Sequence, residues 1–460
     1  VGESGTATAP APIGRFRPRL SFAPLRVRGY RLLFAAELVS VFGDAFHAVA
    51  LPFLVYQFGG GARELGLLVA AYGVCRLATT PLGGILSDRI GPRRVMLVSD
   101  LSRMVCTAGI VVVAVADAGN VLAVVVLVAG TGLGSGLFQP AAYAITPRLL
   151  PAEQLQAGNG LHSTATFAAG MVGPGVAGIV VALLSPAVAF GVDAVTFAVS
   201  AACLAMIGGA ARATALAATA SGDRAASGDR AGAGDRAAAD DPAAAGDRAG
   251  AGAGPGDSSG GSPPGPAPIG FWQLLRESAL LRTVLVVTAA ANLTVGGMVR
   301  VGLPSLSSVD LGAGAGGLGG LLAAFTAGSL VGGLFSAGLA GLPRRGATAM
   351  VAGLVLGAAV ALVPFAGYPG AVLALVTAGL ASTVTNVLVI TIVQQNTAAH
   401  LLGRVMSAIV FAALSLFPLS AVAAGLVVDR YGSTAVFLAT GATLLAAFVF
   451  GLSRPELRRQ

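Results

Sequence analysis

Apolar residues dominate this chain in long blocks, separated by short breaks rich in charge, glycine or proline. Six blocks lie near 31–57, 64–87, 94–116, 120–146, 159–184 and 187–208. Six more lie near 282–304, 315–341, 347–366, 371–394, 405–428 and 433–452. Each is long enough to cross a hydrocarbon core, which takes about 20 helical residues. The pattern predicts an all-α integral membrane protein of twelve transmembrane helices in two six-helix halves. It divides the chain into an N-terminal tail (1–29), a first half (30–208), a linker (209–268), a second half preceded by an interfacial helix (269–453) and a tail (454–460).

Composition agrees with the pattern. The 460 residues are 55% hydrophobic and only 10% charged, with a mean hydropathy of +0.83. A soluble domain carries about a quarter of its residues as charges, so so few cannot cover a water-facing surface of this size. The sequence contains no lysine, so its fixed positive charge is all arginine, and the net charge is +8. The arginines are unevenly placed. With the N-terminus inside, Arg89, Arg93, Arg94, Arg148, Arg344, Arg345 and Arg404 fall in cytoplasmic loops, with Arg454, Arg458 and Arg459 in the tail on the same side. Only Arg63 and Arg430 face outward. That is the bias that orients membrane proteins, and it accounts for the net charge without a nucleic-acid partner. The expected location is a bacterial cytoplasmic membrane, with both termini in the cytoplasm. Cys75, Cys106 and Cys203 each fall inside a predicted span, with no metal-ligand spacing, and read as packing residues.

Residues 209–268 change character. They are rich in Ala, Gly, Asp, Arg and Pro and repeat Gly-Asp-Arg four times. Nothing there builds a core, so a disordered cytoplasmic linker is expected. It ends in IGFWQLLRESALLR (269–282), whose apolar face and lone tryptophan suit a short helix at the membrane surface.

Ionisable groups inside spans are rare and mark functional sites. Glu37, Asp44 and His47 stand in the first span. Spacing of seven puts Glu37 and Asp44 near one face, with Asp44 and His47 one turn apart. Asp44 falls near mid-membrane, where burial favours the neutral form of a carboxyl. Two readings stand at this point: Asp44, with Glu37 and His47, carries the coupled proton, or Asp44 is a structural carboxylate held by Arg76 or Arg300. Further polar candidates for a substrate cavity between the halves are Arg76, Asn292, Arg300 and Asn386, with Phe42, Phe46 and Phe138 as an aromatic wall. Asp100 and Arg103, one turn apart, read as a local pair bracing the loop between the second and third spans.

That loop reads Gly84-x-x-x-Asp88-Arg89-x-Gly91-x-Arg93-Arg94, which resembles the signature loop of the major facilitator superfamily. The resemblance implies a cytoplasmic gate, in which this cluster (with Asp100 and Arg103) latches the halves together in the outward-open state against the start of the eleventh span near Arg404. In the fifth span, Gly160, Ala169, Gly173-Pro174 and Ala177-Gly178 resemble the antiporter motif of drug exporters of that superfamily, with alanine at two positions where the motif has glycine. VFGDAFHAVALPFLVYQ, FQPAAYAITPRLLPAEQLQAGN and LLGRVMSA extend the resemblance to the subfamily that includes macrolide, tetracycline and enterobactin exporters. It covers both halves and omits the N-terminal tail and the linker. The fourth span, GTGLGSGLFQP, lacks the arginine that many drug:proton antiporters carry there.

The resemblance implies the major facilitator fold and export of small amphipathic molecules by proton antiport through alternating access. The expected partners are a small-molecule substrate, a proton and the lipid bilayer, the protein acting as a monomer. No cofactor, no metal and no enzymatic activity are expected. A metabolite importer on the same fold, or a membrane sensor working through the linker, are the alternatives.

Overall fold

The structure is a computed structural model and describes residues 22–116, 119, 121–207, 278–339, 344–397 and 399–458. The Gly-Asp-Arg linker, residues 1–21 of the tail, Arg459, and the expected surface helix up to residue 277 lie outside the described residues.

Among the described residues, twelve long helices follow one another and no strand occurs. They are α1 (Arg28–Gln57), α2 (Ala62–Ile90), α3 (Pro92–Val115), α4 (Val121–Leu149), α5 (Ala152–Leu183) and α6 (Pro186–Ile207), then α7 (Ala279–Asp310), α8 (Gly314–Leu339), α9 (Arg345–Leu362), α10 (Gly367–Asn396), α11 (Ala399–Tyr431) and α12 (Ser433–Ser453). Eleven of these are long and apolar enough to cross a membrane; α11, at 33 residues, has the length to do so. A helix satisfies its own backbone in lipid, so each continuous apolar run becomes one rod. The tight link between α2 and α3 turns on Gly91, whose φ of +90° is open to glycine and strained for other residues. Two π-helical turns, Met298–Gly302 and Leu306–Asp310, interrupt α7.

Short links make successive helices antiparallel, so loops alternate between two ends of the bundle. Arg89, Arg93, Arg94, Arg148, Arg344 and Arg345 gather at one end, with Arg63 and Arg430 at the other. The halves meet through α2 against α11 and α5 against α8. A Cβ built on Gly66 would stand 2.7 Å from the Ala421 carbonyl, and one on Gly178 would stand 2.6 Å from that of Ala315. Gly425 faces Ala62, and Gly319 faces Pro174, equally closely. Small residues let membrane helices touch backbone to backbone. All four contacts lie toward the arginine-poor end. Toward the other end, Gly84 of α2 and Gly160 of α5 have nothing within 4 Å of such a Cβ. The halves are sealed at the arginine-poor end.

Candidate functional site

Two cavities lie end to end inside the bundle, of about 150 and 160 Å³, and share Asp44, Tyr72, Arg76, Arg103 and Ser135 as walls. The first extends toward the sealed end past His47, Leu51 and Leu65, and takes Arg300 and Phe417 from the second half. The second extends the other way to Glu37, Phe138, Gln139 and His162, and is walled by the first half alone.

Asp44 stands where the cavities meet. Its carboxylate is 52% exposed, and the surface it exposes is cavity wall. The nearest cation is Arg103 of α3, with Nη1 3.9 Å from Oδ1 of Asp44. The expected partners were Arg76 and Arg300; the structure instead gives Arg76 a 3.4 Å hydrogen bond to Gln139, and Arg300 no salt bridge among the described residues. Arg103 reaches the cavity from α3, which packs against α4.

Arg103 is held by a buried acid and two rings, and its Nε is buried without a hydrogen bond among the described residues. It donates to Asp100, whose other oxygen accepts from Ser200 at 2.6 Å. Its guanidinium stacks over Phe138 at 4.6 Å and Phe197 at 4.3 Å, a cation–π sandwich that suits a desolvated arginine. Gly134 makes room for the stem: a Cβ there would come within 2.6 Å of Arg103 Cγ. The predicted local pair with Asp100 forms, yet both side chains are buried in the first half, and Arg103 reaches the cavity rather than bracing the loop.

Two further pairs tie α1 to its neighbours. His162 Nδ1 of α5 lies 2.8 Å from Glu37 Oε2, and His47 Nδ1 lies 3.4 Å from Asp193 Oδ2 of α6. Asp193 is fully buried, and neither of its oxygens has a hydrogen bond among the described residues. Helix α6 can come this close because Gly43 has no side chain; a Cβ there would collide with Thr196 and stand 2.7 Å from Asp193 Oδ1. Asp193 and His162 are not among the candidates the sequence pattern singles out. The signal was present, since Asp193 is the one carboxylate inside α6.

The remaining candidates divide. Arg76, Phe138 and Arg300 line the cavities as expected. Phe42 packs against Phe46, 5.3 Å between centroids, near Gly173 of α5, and Phe46 is buried, so the pair belongs to a helix seam instead of a cavity wall. Asn292 turns its amide back onto the Thr288 carbonyl at 2.8 Å, and Asn386 is exposed on α10; neither lines these cavities. Gly173 touches Ala45 of α1, and Pro174 and Gly178 form the contact with α8.

In the gate loop, Asp88, Arg89 and Arg94 are exposed, and no salt bridge to Asp88 exists among the described residues. Arg93 caps α6 instead, donating to the carbonyls of Leu204 at 2.7 Å and Ala205 at 2.6 Å. That satisfies C-terminal carbonyls which would otherwise lack partners. The side chain of Arg404 lies outside the described residues.

A model of the Major Facilitator Superfamily matches residues 33–416. The multidrug efflux pump Tap of Mycolicibacterium fortuitum is 33% identical over 159 residues, which is 33% of this chain and 38% of that protein. Tap of Mycobacterium tuberculosis is 29% identical over 175 residues, 37% of this chain and 42% of that protein. The chain thus spans 38–42% of the length of these curated relatives. Among solved structures, a POT family transporter in complex with 5-aminolevulinic acid superposes with a TM-score of 0.65 at 12% identity, covering 93% of this chain and 96% of that one. At that identity the likeness is one of fold.

Proposed function

The chain belongs to the major facilitator superfamily, and from that premise we propose that it exports small amphipathic molecules by proton antiport through alternating access. The observation that carries the reading is Asp44: an acid halfway along a membrane helix, half exposed to a cavity, with its nearest cation 3.9 Å away. Antiport requires that proton and substrate exclude each other at one site. An ionised Asp44 attracts a basic nitrogen, and a protonated Asp44 does not. Binding of an amine therefore weakens as pH falls through the titration of Asp44. When the site is empty, Arg103 holds the carboxylate, loosely enough to be displaced.

The arginine-rich end faces the cytoplasm of a bacterial cell, by the charge bias of its loops. The conformation sealed at the opposite end is then the one that loads substrate from inside. Opening outward requires the α2–α11 and α5–α8 contacts to separate and the Asp88 loop to close against α11. The membrane potential adds about 2.3 kcal/mol per charge per 100 mV to the pH gradient. Identity to proteins named multidrug efflux pumps supports the export direction.

The test is efflux of a fluorescent amphipathic amine from loaded cells making equal amounts of wild type or Asp44→Asn. The reading expects efflux that a protonophore stops and that Asp44→Asn lacks. Efflux indifferent to the protonophore would contradict it.

A further inference from the structure

The cavity wall carries more positive charge than the transport reading requires. Arg76 and Arg300 both face the cavity that Asp44 lines. Arg103 is shared by Asp100 and, at 3.9 Å, Asp44, while Glu37 is committed to His162 and Asp193 to His47. Asp44 is left as the one carboxylate facing two guanidinium groups without an acidic partner among the described residues. Arg76 has only the 3.4 Å contact to Gln139. Arg300 is exposed to the cavity and makes no salt bridge among the described residues, its charged neighbours there being Arg76 and Asp44.

The placement of Arg300 is built in. It sits on the π-helical turn Met298–Gly302, a device that re-aims side chains and recurs at functional sites. Just before it, Gly297 packs so closely on α11 that a Cβ would collide with the Ser420 carbonyl, and Ser420 Oγ accepts the Gly297 amide at 2.6 Å. That contact fixes α7 with Arg300 on the cavity side, opposite Asp44 of the other half.

We propose that the cavity takes zwitterionic amphiphiles, with the basic nitrogen at Asp44 and an acidic group between Arg76 and Arg300. The inference rests on the export reading and names its substrate class. A molecule with an amine alone leaves two guanidinium groups uncompensated, and one with an acid alone faces ionised Asp44. Selectivity of this kind comes from repulsion as much as attraction. Because Asp44 and Arg300 belong to different halves, a zwitterion also bridges the two bodies that must rock around it.

A matched series tests this. Dansylcadaverine, Nε-dansyl-lysine and dansyl-6-aminohexanoic acid share a dansyl group and alkyl chain and differ only in terminal charge. Binding of each to the full-length protein in lipid nanodiscs is read by dansyl fluorescence. Dansyl-lysine is expected to bind about tenfold more tightly than either relative, roughly the worth of one charge-assisted hydrogen bond. Arg300→Gln should reduce it to the dansylcadaverine level without weakening dansylcadaverine. Arg300→Lys keeps the charge and should keep the ranking, which guards against misfolding of the neutral variant. Equal or tighter binding of dansylcadaverine, no binding of any probe, or a ranking unmoved by Arg300→Gln would overturn the proposal. Protonophore-sensitive efflux of dansylcadaverine without a dansyl-lysine preference would remove this inference and leave the export reading. The preference without any gradient-driven flux would do the reverse.

Discussion

The two halves share a six-helix plan and divide the chemistry unequally. Inside the spans of the first half stand Glu37, Asp44, His47, Arg76, Asp100, Arg103, His162 and Asp193. Among the described residues, the second half sets one charge between its helix ends, Arg300. Its other buried polar groups are mostly hydroxyls turned onto backbone carbonyls, such as Ser329 to Phe325 at 3.0 Å and Ser336 to Gly332 at 2.7 Å. Charge inside a membrane is expensive unless paired or facing a polar cavity. Concentrating it in one half lets Glu37, Asp44, His47, Asp100, Arg103, His162 and Asp193 find partners mostly within a single packed body, and leaves Arg76 facing the cavity. The second half can then move as a body that, among the described residues, bears a single cation between its helix ends.

The contrast is open to breakage at several sites. Arg103→Leu should have the largest effect on the fold, because it strands buried Asp100; a loss of about 3–5 kcal/mol is expected, read as a lowered unfolding temperature in detergent. Gly178→Val tests the seam between the halves, where a side chain would press on the Ala315 backbone; overpacking of this kind costs about 1–3 kcal/mol. The same variant should shift the protein toward the state open at the arginine-poor end, seen as increased labelling of a cysteine placed at Leu65. Ser329→Ala, in the second half, should cost only about 0.5–1.5 kcal/mol. Asn386→Ala should stay within about 0.5 kcal/mol and leave transport unchanged. A second-half hydroxyl that cost as much as Arg103 would erase the distinction.

The spans were legible because lipid demands continuous apolar runs, and their ends were read to within several residues; α5, α7 and α11 extend furthest beyond the expected bounds. The glycine at 91 and the small-residue face of α5 were legible for the same reason: geometry there leaves few choices of residue. Partnerships inside the first half were not. Asp44 pairs with Arg103 because Gly134 admits the arginine stem, and His47 pairs with Asp193 because Gly43 admits α6. Both depend on which helices touch, which spacing along one chain does not give. Asn292 misled for a related reason: an amide in a span satisfies itself on its own helix as readily as it faces a cavity.

The most direct test of the account is proton movement in everted vesicles holding a pH gradient, with an amphipathic amine added outside. Wild type should release protons from the lumen on addition of the amine. Asp44→Asn, present at the same level and equally stable, should release none. Equal proton release by the two proteins would contradict the assignment of coupling to Asp44 and, with it, the division of labour between the halves.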